Sequence, residues 1–137
     1  MSNSNIIDSL DGSLSLETDF FVVQLKNKWP DVQIHFYGAE RTYPVLQWRT
    51  DTDMFALGNF SKTGIAFQVN SDHDTAQVAL WFRSIVPSDY TLTFYTTSLN
   101  TAPFELKLDM NEQDIIAATR REFDEDEFQK LIDSIPI

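Results

Sequence analysis

Apolar residues recur along the chain with two different periods. Before Pro30 the pattern is helical: "SLETDFFVVQLKNKWPD" places Ser15 as a candidate N-cap, Glu17 and Asp19 in a first turn, Lys26 and Lys28 in a last turn, and Pro30 as a stop. Acids at the start and bases at the end complement the helix dipole, so the stretch predicts a helix over about 16 to 28. Residues 1 to 12, polar apart from Ile6, Ile7 and Leu10, precede that signal and are expected to form a loosely ordered arm.

After Pro30 the period drops to two. Val32, Ile34 and Phe36 alternate with Gln33, His35 and Tyr37, the signature of a half-buried strand. The alternation returns at Leu46 and Trp48, at Ile65, Phe67 and Val69, at Val78, Leu80 and Phe82, at Leu92 and Phe94, and at Phe104, Leu106 and Leu108; "MFALGNF" at 54 to 60 reads as a further strand. The links between these runs are short and turn-like, for example "SKTG", "NSDHDT" and "VPSDY". Strands joined so closely pair antiparallel, because a parallel crossover needs a dozen or more residues. The expected sheet is a meander of about five to seven strands, with no helix between its members.

The carboxyl end returns to helical spacing. Asn111 is placed to cap a helix over about 112 to 121, with Asp114 as its third residue and Met110 and Ile115 packing across the start. Asp124 with Glu127, flanked by Phe123 and Phe128, predicts a second helix whose apolar stripe is Phe128, Leu131, Ile132 and Ile135. The fold class is therefore α+β: one antiparallel sheet covered on one face by an amino-terminal helix and one or two carboxyl-terminal helices. A length of 137 residues, 42% of them hydrophobic, suits a single domain with one core.

The alternation sorts side chains onto two faces. Ile34, Phe36, Trp48, Phe67, Leu80, Phe82, Leu92, Phe94 and Leu106 make a face that needs covering. The opposite face receives Gln33, His35, Tyr37, Gln47, Arg49, Gln68, Gln77, Trp81, Arg83, Thr91, Thr93, Tyr95 and Lys107. It is polar, yet Tyr37, Trp81, Arg83 and Tyr95 are of the types that dominate binding hot spots, so these four are candidate partner-binding residues.

Charge adds a second candidate surface. The net charge is −11, and residues 105 to 137 carry ten acids against Lys107, Arg120, Arg121 and Lys130. The densest run is "REFDEDEF", whose Glu122, Asp124, Glu125, Asp126 and Glu127 are candidate contacts for a basic partner. The same acids also serve a helix start, where they favour the dipole. Such a charge opposes binding to nucleic acid, where Lys and Arg supply most of the affinity, and to anionic membranes. No apolar run reaches the roughly 18 residues of a membrane span, and the amino terminus lacks a basic cluster followed by an apolar stretch. The chain has no cysteine, which excludes disulfides, thiolate catalysis and cysteine-ligated zinc and suits the cytoplasm.

The most chemical stretch is "NSDHDTAQ" at 70 to 77. Asn70, Asp72 and Asp74 occupy the first, third and fifth positions of a calcium loop, but Thr75 stands where the loop needs Gly and Trp81 where it needs Glu. His73 between two aspartates has the makings of a general base, but Asn, Ser and Asp are also what a turn between strands selects. With His35 far off in sequence and no phosphate loop, serine elbow or dinucleotide fingerprint, neither a metal nor a cofactor is expected. The reading that fits best is a non-catalytic acidic protein-binding module, accessory, chaperone-like or inhibitor-like, that recognises a basic surface. The alternatives are a ligand-binding or enzymatic domain with an aromatic pocket of Trp48, Trp81 and Tyr95, and a structural homodimer subunit.

Overall fold

The structure, a computed structural model, describes residues 4–37, 45–52, 54–97, 102–121 and 133. Among these the elements run β1 (Asn5–Asp8), α1 (Thr18–Lys28), β2 (Gln33–Tyr37), β3 (Val45–Thr50), β4 (Ala56–Ser61), β5 (Gly64–Val69), α2 (Asp72–Ile85), β6 (Thr93–Thr96), β7 (Phe104–Glu105) and α3 (Glu112–Thr119). All seven strands belong to one antiparallel sheet in the order β2-β3-β4-β5-β1-β6-β7. The protein is an α+β fold, as the change of period at Pro30 predicts.

Two features depart from the simple meander. Residues 5–8 are not part of a loose arm: β1 lies between β5 and β6 in the sheet, and Ile7 is fully buried. The turn after it is also ordered. Asp11 accepts hydrogen bonds from the Ser13 amide at 3.0 Å and from the hydroxyls of Ser9 and Ser13 at 2.7 and 2.8 Å, around Gly12 at φ 72°. These bonds favour the ionised form and hold the exposed Asp11 carboxyl down at about 2. The four residues of β1 are too few and too polar to announce a strand, and only pairing with two neighbours creates one.

The second departure is α2. The stretch Val78, Leu80, Phe82, expected as a strand, lies in a helix of 14 residues, and "NSDHDT", expected as a polar turn, supplies that helix's start. Ser71 is the N-cap, its hydroxyl accepting from the Asp74 amide at 3.1 Å, and Asp72 and Asp74 fill the first turn. Thr75, Val78, Ala79, Phe82 and Val86 are buried at helical spacing. Because β1 intervenes and is antiparallel to both, β5 and β6 run the same way, and α2 is the crossover between them. The meander is thus confined to β2 through β5.

The remaining elements follow local chemistry closely. Helix α1 starts at Thr18, with Glu17 rather than Ser15 at its N-cap and no side-chain cap bond. Helix α3 has the full capping box: Asn111 Oδ1 accepts from the Asp114 amide at 2.9 Å and Asp114 Oδ2 from the Asn111 amide at 3.0 Å.

Helices α1 and α2 pack on one face of the sheet through aromatic rings. Phe21 of α1 stacks on Phe60 of β4 with centroids 4.1 Å apart and also meets Trp81 and Phe82 of α2. All three tryptophans of the chain touch: Trp29 lies 5.8 Å from Trp48 and 4.9 Å from Trp81, and Trp48 lies 6.4 Å from Trp81. The Trp48 ring occupies the space above its cross-strand partner Gly58, where a Cβ would come within 2.3 Å of it. Glycine at 58 is therefore a packing requirement of the core.

Candidate binding surface

Helix α3 packs beside α2 through polar clasps. The Asp72–His73–Asp74 stretch is absorbed there: His73 Nδ1 pairs with Glu112, Gln77 donates to the same carboxylate at 3.0 Å, and Arg120 grips Asp72 Oδ2 at 3.1 and 2.7 Å. Both histidine and aspartate are spent on joining two helices. Among the described residues no group of three or more His, Cys, Asp and Glu is placed to hold a metal.

The sheet's other face is built differently. Pairing registers place His35, Gln47, Asn59, Ala66, Ile6 and Tyr95 in one row that crosses β2, β3, β4, β5, β1 and β6. The next row along the strands holds Gln33, Arg49, Leu57 and Gln68. Side chains at these positions point away from the aromatic core because strand side chains alternate between faces. Gln33, His35, Arg49 and Asn59 are exposed, and Gln47, Leu57, Ala66, Gln68 and Tyr95 are half-buried. Helices α1 and α2 lie against the opposite face.

The surface is contoured. A depression of about 440 Å³ opens among Gln33, His35, Gln47, Arg49 and Leu57. A smaller one of about 130 Å³ adjoins it, lined by Ser4, Gln47, Leu57, Asn59 and Gln68. Four carboxamides, Gln33, Gln47, Asn59 and Gln68, thus surround an apolar floor at Leu57 and Ala66. Carboxamides carry both donors and acceptors, which suits neutral hydrogen-bonding groups more than ions; that of Gln68 already donates to the Ser4 hydroxyl at 3.3 Å. Arg49 sits 3.6 Å from Asp51 and 5.5 Å from the Phe55 ring, so a neighbouring carboxylate partly offsets its exposed charge. Tyr95 has its phenol pushed above its ordinary value, first by burial and then by the Asp8 carboxylate. At neutral pH it is a protonated hydrogen-bond donor.

The residues predicted to bind a partner divide sharply. Tyr95 does lie on this face. Tyr37 closes β2 opposite Val45, and its side chain lies outside the described part of the molecule. Glu122, Asp124, Glu125, Asp126 and Glu127 also lie outside the described residues. Trp81 and Arg83 do not belong to the face at all, since both are on α2 and buried, with 8% and 4% of their surfaces exposed. Arg83 instead closes the end of α2, donating to the carbonyls of Tyr90, Val86 and Pro87 at 2.9, 3.2 and 2.8 Å. Desolvation pushes its guanidinium down from the ordinary value, against the opposing pull of Glu105. The aromatic pocket of Trp48, Trp81 and Tyr95 is likewise corrected: the tryptophans are in the core and Tyr95 is on the opposite side of the sheet.

Sequence reasoning found Gln33, His35, Gln47, Arg49, Gln68 and Tyr95 but missed Leu57, Asn59, Ala66 and Ile6. The signal for the first two was present. With Ala56, Gly58 and Phe60 buried, the intervening Leu57 and Asn59 had to face outward, but "MFALGNF" hides its alternation behind Leu57 and Gly58.

Comparison with known proteins places no relative beside this chain: no family model, no curated protein and no solved structure matches it.

Proposed function

We propose that the protein is a non-catalytic, acidic protein-binding module, that the carboxamide-lined strand face is its docking surface, and that its partner carries net positive charge. The observation that supports this most is the pair of registered rows from Gln33 to Gln68 and from His35 to Tyr95. Together they put polar donors and acceptors over several strands, around a shallow apolar floor. Interfaces of this kind gain specificity from satisfied hydrogen bonds and affinity from a few desolvated anchors. A net charge of −11 raises the encounter rate with a basic protein and lowers it with an acidic one. The residues from Glu122 to Glu127 contribute most to that steering by their density. No helix among the described residues is long and apolar enough to cross a membrane, and a chain without cysteine suits a reducing cytoplasm.

The test places a photo-crosslinking amino acid at Asn59 on the strand face, and in a second protein at Asn27 on the exposed side of α1, in the native cell. The expected result is one basic protein cross-linked from Asn59 and not from Asn27, and lost when Gln33 is changed to Arg. Replacing Glu125 and Asp126 together by Lys should slow capture of that protein at low salt and matter little at high salt. Cross-links to the same partner from Asn27 alone would refute the docking surface. Normal capture by the Glu125→Lys, Asp126→Lys protein at every salt concentration would refute the role of the acidic run.

A further inference from the structure

The two edges of the sheet are not equally protected. An edge strand displays unpaired amides and carbonyls that template pairing with another chain, and proteins blunt such edges with short strands, proline or charge. At one edge β7 is only two residues long, follows Pro103, and is flanked by Lys107. At the other, β2 has five residues, contains no proline, lysine or acid, and among the described residues pairs only with β3. Its Phe36 is 56% exposed, although it sits on the same face as the core residues Trp48 and Leu46.

We propose that β2 is the seam of a homodimer, in which two copies pair antiparallel through Gln33–Tyr37 about a two-fold axis passing beside His35. Three properties of this strand fit a second copy in particular. First, "QIHFY" has a symmetric pattern about His35. In a self-pairing centred there, Ile34 of each chain faces Phe36 of the other, so an aliphatic-aromatic cross-strand pair forms twice and the exposed Phe36 is covered. A shift of one residue in this register would place both against polar neighbours. Second, two chains of −11 repel at long range, and they approach at least cost along a strand without formally charged side chains. Third, the pairing is isologous and closes on itself, so that among the described strands the short β7 is the edge at both ends. The sheet then continues across the axis, and the strand faces of the two copies form one surface. The module becomes bivalent for any partner that repeats, which multiplies apparent affinity without new contacts.

The chain has no cysteine, so a single introduced thiol reports on one position. In the proposed register residue 35 is opposite itself. Whether that pair is hydrogen-bonded or not, its Cα atoms lie within disulfide range. Residue 33 is opposite residue 37, too far from its own copy to cross-link. Mild oxidation should therefore join the His35→Cys protein into a dimer of twice the 15.8 kDa chain, while Gln33→Cys and Asn27→Cys stay monomeric. Sedimentation equilibrium of the unmodified protein should show a monomer-dimer equilibrium that tightens as salt rises, because salt screens the repulsion between the two acidic chains. Phe36→Lys, which adds the charge that edges ordinarily carry, should weaken the dimer at least about tenfold.

A protein that is monomeric up to about 1 mM at high salt overturns the proposal. So does a dimer that Phe36→Lys leaves intact, or equal cross-linking from positions 27, 33 and 35. The thiol experiment does not depend on how well the Phe36→Lys protein folds. None of these outcomes decides the strand-face docking, which each copy carries out with its own face.

Discussion

Replacing Trp81 by Ala separates the outward strand position that alternation predicts for this residue from the buried helical one that it occupies. On the outward face of a strand its loss would change stability by about 0.5 kcal/mol or less, the usual cost of a surface substitution. In the structure it is 8% exposed and touches Phe21, Trp29, Trp48 and Phe82 at centroid distances of 5.8, 4.9, 6.4 and 6.3 Å. An aromatic ring of this kind removes about 150 to 250 Å² from water, worth about 4 to 6 kcal/mol at 25 cal/mol per Å² as an upper value. Large-to-small changes of buried Trp and Phe cost about 3 to 5 kcal/mol once partial collapse is allowed. The expected loss is therefore about 4 kcal/mol. At roughly 0.05 to 0.15 kcal/mol per residue the whole protein has about 7 to 20 kcal/mol of stability, so the variant should still fold at 25 °C. With a urea dependence of about 2 kcal/mol per M, its midpoint should fall by about 2 M. The assay follows the fluorescence of the two remaining tryptophans through urea unfolding, with far-ultraviolet circular dichroism as the second probe. Trp29 and Trp48 border the cavity that Ala leaves, so their native emission should also shift. A loss below about 1 kcal/mol, with native emission unchanged, would refute the placement of Trp81 at the centre of the core.

Arg83→Ala should destabilise by about 2 to 3 kcal/mol, because three carbonyls at the end of α2 lose a charged donor; Arg83→Lys should recover little, since an ammonium does not reproduce the planar fork. Thermal unfolding measures both. Gly64→Ala should cost more than about 2 kcal/mol, as its Cβ would stand 2.1 Å from the Ile7 carbonyl oxygen; the diagnostic reading is loss of amide-exchange protection in Asn5–Asp8 before the other strands. Asp11 titrates at about 2 against an ordinary 3.8, so the stability from its turn is fully present above pH 3.8 and lost as pH falls through about 2. Carboxyl NMR should find that low value, and Ser13→Ala should raise it by removing one of the hydroxyl donors; an ordinary value in the unmodified protein would refute the bonded turn.

Much of the architecture is determined by neighbours in sequence, and there the chain alone sufficed. Ile34, Trp48, Phe67 and Phe94 each belong to a run with two-residue periodicity and no overlapping helical repeat, so their local pattern is that of a strand. Asn111 and Asp114 complete a capping box with groups three residues apart, so α3 begins where the sequence places it. Gln33, His35, Gln47, Arg49, Gln68 and Tyr95 were assigned to the polar face by the same alternation.

Tertiary structure decided what local pattern leaves degenerate. Val78, Leu80 and Phe82 alternate like a strand, while Thr75, Val78, Ala79 and Phe82 repeat like a helix. What selects the helix is the surface available for burial. The Ser71 cap starts it, and Trp81 and Phe82 then meet Phe21 of α1 and Trp29 at its carboxyl-terminal cap, partners that lie more than fifty residues away in the chain. Once 72 to 85 is helical, Trp81 and Arg83 leave the polar face, and the carboxamides of β2 through β5 are what that face presents. The position of β1 is decided the same way. Four residues with one deeply buried side chain carry almost no strand signal alone, but between β5 and β6 their backbone is paired on both sides and Ile7 completes the core. Local spacing specifies which elements are amphipathic; which of them meet is settled only by the long-range burial of their apolar faces.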